Sequence, residues 1–201
     1  MTETPVVRGS YAKSSHTRTM ILDAALNVFA QNGYRKGSLK SVADAVGMSE
    51  AGLLHHFPSK GALLAAVLER RDAHARERFS FDPADGLQLL REFAELADYN
   101  ASTPGVVELF CALSAEATAP GHPAHAYFLT RYTDTVALVR LALEELDQRG
   151  LLAPGIEPAN AARVIIALMD GLQIQWLMDR DSVDMAREVR EHFDSLVTVE
   201  F

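Results

Sequence analysis

The 201-residue sequence predicts an all-α fold of about nine helices, and three features carry that reading. Apolar residues recur at helical spacings of three and four through almost every segment, so they fall on one side of a helix. Serine, glycine and proline punctuate these segments at helical lengths. No stretch alternates apolar and polar residues as a half-buried strand does. At 48% hydrophobic residues the chain can bury a substantial core. Its one cysteine, Cys111, excludes an intrachain disulfide and a four-cysteine zinc cluster.

In chain order, residues 1–16 carry Pro, Gly, Ser and scattered charges without a period and read as a flexible arm. Residues 17–79 then read as one domain and 80–201 as a second. From Thr17, the residues Ile21, Leu22, Ala25, Val28 and Phe29 form one apolar stripe, which Asn32-Gly33 ends because glycine accepts a left-handed C′ position. Ser38 is placed to cap a short helix carrying Leu39, Val42, Ala43 and Val46. After Gly47-Met48, Ser49 caps a second short helix, and Pro58 forces an end at Phe57. Ser59 caps a longer helix through Leu63, Leu64, Val67 and Leu68 to Phe79, and Asp82-Pro83 breaks it. Further helices are expected over 87–99, 106–118, from the Pro120–Pro123 turn to Gly150, 158–179 and 183–198. The N-terminus lacks a signal-peptide core and no apolar run reads as long enough to cross a bilayer, so a soluble, cytoplasmic protein is expected.

The segment 38–53 has a spacing with a physical logic. Ala43 is small where two helices cross closely, Gly47 falls in the tight turn that needs positive φ, and Leu53 closes the small core between them. This is a helix-turn-helix pattern, which makes the helix from about Glu50 to His56 the one that lies in a DNA major groove. Ser49, Ala51 and Gly52 then face DNA or keep the backbone close to it, and His55 and His56 donate to phosphates or base edges. Lys60 joins a cation to free amides at a helix start; Ser38 and Lys40 reach phosphate nearby, and Lys13 and Arg18 flank the arm. Glu50 supports the helix N-terminus or accepts from cytosine N4.

The charge distribution agrees. Residues 1–60 carry seven Lys and Arg against four Asp and Glu, net +3, while 61–201 carry twelve against twenty-three, net −11. A basic head on an acidic body presents one end to phosphates. Adjacent His55 and His56 point roughly 100° apart on a helix and cannot chelate one ion. His122 and His125 are interrupted by Pro123, and no metal or cofactor is expected. Nucleophile elbow, phosphate loop and metal-ligand spacings are all missing, so no enzyme is expected.

From Thr17 to about Leu68 the chain resembles the DNA-binding domain of the tetracycline-repressor (TetR) family. The matching text is Thr17-Arg18, Ile21-Leu22-Asp23-Ala24-Ala25, Phe29 and Asn32-Gly33-Tyr34. It continues through Ser38-Leu39, Val42-Ala43, Gly47-Met48-Ser49, Leu53, His56-Phe57-Pro58-Ser59-Lys60 and Leu63-Leu64. The resemblance implies an all-α homodimeric repressor on a palindromic operator, whose variable C-terminal domain binds a small molecule and releases DNA. The family usually carries an aromatic at the position of Leu54 and often another at His55, so this chain departs from the pattern there.

In the C-terminal domain, Ile165, Leu168, Leu172 and Trp176 form one stripe and Ala186, Val189, Phe193 and Leu196 another, which reads as a four-helix dimer interface. Candidate ligand residues are Phe93, Phe110, Cys111, His125, Phe128, Tyr132, Met169, Asp170 and Gln173. Asp170 and Gln173 need polar partners if buried.

Overall fold

The computed structural model describes residues 8–200, with side chains from residue 14 onward. Among the described residues are nine helices: α1 (Arg8–Lys36), α2 (Leu39–Ala45), α3 (Glu50–His56), α4 (Lys60–Arg78), α5 (Gly86–Ala101), α6 (Pro104–Glu116), α7 (His125–Gln148), α8 (Pro158–Met178) and α9 (Met185–Asp194). The all-α reading holds, and no strand is present among these residues. A single antiparallel bridge joins Leu152 to Val197.

Two boundaries differ from expectation. The first helix begins at Arg8, inside the stretch read as an arm, and residues 1–7 lie outside the described residues. Residues 8–16 lack an apolar period, which is the only signal that would have marked them as helical. At the other end α9 stops at Asp194, short of the expected 198, because the chain turns extended to pair with the loop after α7. Ala153 N–H donates to the Leu196 carbonyl at 2.8 Å and Thr198 N–H to the Leu151 carbonyl at 2.9 Å.

The fold divides into two compact units between Arg71 and Asp72, inside α4 and ahead of the junction expected after Phe79. In the first unit α1 packs on α2 and α2 on α3. Ile21, Ala25, Phe29, Val42, Leu53, Phe57, Leu63 and Leu64 are all buried. The break at Gly33 (φ 72°) ends the regular run of α1 as expected. In the second unit α5, α7, α8 and α9 pack around one core, with α6 against α5 and α8.

That core corrects the interface expectation. Ile165, Leu172, Trp176, Ala186, Val189, Phe193 and Leu196 are all buried within their own chain, and Leu168 is half-buried. The stripes are real, but they face inward. α8 turns a second side to the surface, where Val164, Ile174 and Met178 are 45%, 46% and 82% exposed. The same helix, 21 residues long, is long and apolar enough to cross a membrane, against the expectation that no such run exists. Its apolar character has a simpler origin, since Ala161, Ala162, Ile165, Ile166, Met169, Leu172 and Trp176 line the core.

Candidate functional site

The α2–α3 pair is built from short-range chemistry. Ser38 and Ser49 sit in extended conformation, and each side-chain oxygen accepts from the amide three residues on, Ser41 at 3.0 Å and Gly52 at 3.1 Å. α2 ends in a Schellman turn. Gly47 (φ 69°) supplies the left-handed residue, its N–H donates to the Asp44 carbonyl at 3.2 Å, and Met48 N–H donates to the Ala43 carbonyl at 3.0 Å. Ala43 and Leu53 are buried between the two helices, as their spacing requires. Phe57 closes α3 in an extended conformation ahead of Pro58, and Ser59 Oγ accepts from Ala62 N–H at 3.1 Å.

With Leu53 buried, α3 presents the opposite side. Glu50, Ala51, Leu54 and His55 are exposed, while Gly52 and His56 are half-buried. Gly52 is small for a local reason, because a Cβ there would approach Ser49 Oγ to 3.3 Å. The two histidine rings meet edge-on at 5.8 Å, with His55 exposed and His56 half-buried. Lys40 is exposed on α2, and Ser38 Oγ also bonds Ser41 Oγ at 2.7 Å.

Two of the expected phosphate cations are already engaged. Arg18 lies 4.1 Å from the centre of the Phe57 ring and donates to the His56 carbonyl at 3.0 Å, so it fixes the end of α3. Lys60 sits 4.4 Å from the Tyr34 ring centre and donates to the Arg35 carbonyl at 3.2 Å. Burial holds the Lys60 ammonium below the usual lysine range. The aromatic platforms Phe57 and Tyr34 were not foreseen, since neither stands at a sequence spacing that marks its cation. Lys13 lies on α1, and its side chain is outside the described residues.

In the second unit most of the expected ligand residues converge. The Phe110 and Phe128 rings meet at 5.1 Å and Phe128 and Tyr132 at 6.2 Å. Tyr132 donates to Asp170 Oδ2 at 2.7 Å, and Cys111 Sγ approaches Gln173 Oε1 at 3.9 Å, giving half-buried Asp170 and buried Gln173 on α8 a partner each. Met169 is buried on the same helix. Burial, then the bond to Asp170, raises the Tyr132 phenol above its usual range, so it remains a donor. Phe93 lies elsewhere, edge-on to Phe81 at 5.3 Å, and at the first residue of α7 His125 Nδ1 bonds the Ala117 carbonyl at 2.8 Å.

A group that sequence spacing did not reveal sits beside this cluster. Asp72 is buried, accepts from Tyr127 Oη at 2.7 Å and pairs with Arg131, whose guanidinium lies 5.2 Å from the Phe110 ring centre. Although burial opposes its charge, Tyr127, Asp72 and Asp170 hold the Arg131 pKa above its usual value. A separate cleft of about 410 Å³ is lined by Asp98, Trp176, Arg180, Asp184 and Arg187. Among the described residues no cluster of His, Cys, Asp and Glu could hold a metal.

Comparison with known proteins matches residues 21–67 to the model for bacterial regulatory proteins of the tetR family. Residues 87–198 match the C-terminal model of BetI-type transcriptional repressors. The chain is 28% identical to the HTH-type transcriptional regulator UidR of Escherichia coli over 173 residues, spanning 86% of this chain and 85% of that one. A solved structure described as the molecular basis for control of antibiotic production by bacterial hormones superposes with a TM-score of 0.72 at 29% identity, over 91% of this chain and 98% of the other. A TetR-family transcriptional regulator from Rhodococcus sp. superposes at 0.75 with 25% identity, over 92% and 100%.

Proposed function

The chain belongs to the TetR family of DNA-binding transcription regulators, not to a family of enzymes, and from that premise we propose that it is a cytoplasmic homodimeric repressor released from a palindromic operator by a small molecule. The observation that carries the reading is the α2–α3 pair, with its capped ends, Schellman turn and exposed outer side on α3. Lys40, His55 and the capping serines Ser38 and Ser49 contact the duplex, with Ala51 and Gly52 keeping α3 close to it. Arg18 and Lys60 act at its margin while holding α3 and the end of α1 at Tyr34 in place. The effector sits among Phe110, Cys111, Phe128, Tyr132, Met169, Asp170 and Gln173, where rings and paired polar groups adjoin.

The partner subunit covers the outer side of α8. Val164, Leu168, Ile174 and Met178 lie within one third of the helix circumference, opposite the buried stripe. A two-fold contact of this side on itself buries apolar area that a lone subunit leaves in water.

Two measurements test this. Duplexes selected from a random library by the full chain should contain an inverted repeat, bound better than scrambled DNA at moderate salt and more weakly as salt rises. Selection of no inverted repeat overturns the operator reading. Light scattering should give a dimer for the wild type and a monomer for Met178→Lys with an unchanged helical spectrum; a dimer that survives Met178→Lys together with Ile174→Lys removes α8 from the interface.

A further inference from the structure

We propose that α3 reads the C5-methyl group of a thymine in each operator half-site, through Leu54 with Ala51 beside it. The proposal rests on the DNA-binding reading above and deepens it. With successive residues turned by about 100° on a helix, the exposed arc of α3 runs in the order Glu50, Leu54, Ala51, His55. The centre of this arc is apolar, and a carboxylate and an imidazole stand at its two edges.

Leu54 is 38% exposed, and among the described residues of the first unit only Met20 is another large apolar side chain in solvent. Its neighbour Leu53 is fully buried, so the orientation of α3 is set by the core and Leu54 is committed to the outer side. The helix itself is held by the Ser49 cap and by Arg18 on its last carbonyl. Leu54 offers no hydrogen bond. In the major groove the thymine methyl is the apolar feature that such a side chain recognises. Glu50 at the edge repels phosphate and suits a base-edge donor such as cytosine N4, which keeps the centre of the arc over bases instead of backbone.

The experiment uses an operator selected by the full-length chain, with each thymine replaced in turn by deoxyuridine, which keeps pairing and removes only the methyl. One symmetric pair of positions should weaken binding about fourfold per half-site, the value of one buried methyl. In Leu54→Ala the same substitution should have no effect, and in Leu54→Met the penalty should return. An unchanged thermal midpoint for Leu54→Ala, whose side chain is exposed, separates this result from misfolding. If deoxyuridine is neutral at every position, or its penalty persists in Leu54→Ala, the proposal is overturned while operator binding stands. A chain that selects no DNA overturns both.

Discussion

Phe193→Ala is expected to lower the stability of the second unit by about 3–5 kcal/mol, the usual cost of emptying a buried aromatic site. Phe193 is fully buried on α9, within the core shared by α5, α7 and α8. Its removal leaves a cavity in the subunit itself. Chemical denaturation of a Met178→Lys background checks this directly, because there the subunit is monomeric on the proposed interface. The same loss should appear at every protein concentration. Phe193→Ala made in the wild-type chain that keeps its parent's stability but fails to dimerise would restore the interface role expected of this residue from periodicity.

The second large effect concerns Arg131. In Arg131→Met, the buried Asp72 carboxylate keeps the Tyr127 hydroxyl and loses the Arg131 cation. Breaking a buried pair from one side costs on the order of 3 kcal/mol. Replacing both members, as Asp72→Leu with Arg131→Met, should recover most of that loss, since well-packed apolar residues substitute for buried ion pairs at little cost. The measurement is a double-mutant cycle by thermal or chemical denaturation. A double variant no more stable than Arg131→Met alone would show that the pair does not act as a unit.

The helix-turn-helix was legible because every signal that makes it is local. Ser38 and Ser49 cap amides three residues away, Gly47 turns the chain where its positive φ is needed, and Pro58 ends α3 at the residue before it. Helix existence along the rest of the chain was legible for the same reason. What a stripe faces is a different matter. Ile165, Leu172, Val189 and Phe193 announce an apolar side, but periodicity carries no information on whether that side meets its own chain or another. The Asp72–Arg131 pair and the Arg18 and Lys60 contacts bring together residues from different helices, and no fixed spacing encodes them. Among the expected ligand residues, those on α6, on α8 and beyond the first turn of α7 converged because these helices pack together; Phe93 and His125, the first residue of α7, carry the right chemistry in positions that serve local structure.

The corner after α4 shows what this division implies. Phe81 takes a left-handed backbone (φ 47°), a conformation that costs a residue with a Cβ about 1–2 kcal/mol. Glu92 on α5 accepts from Phe81 N–H at 2.6 Å and from Ser80 Oγ at 3.0 Å, and the Phe81 ring meets Phe79 at 5.4 Å and Phe93 at 5.3 Å. A glycine would satisfy the backbone and forfeit both ring contacts, each worth about 0.5–1.5 kcal/mol beyond the area it buries. Position 81 is thus locally frustrated: its own conformational preference and its tertiary surroundings ask for different residues, and the surroundings have decided.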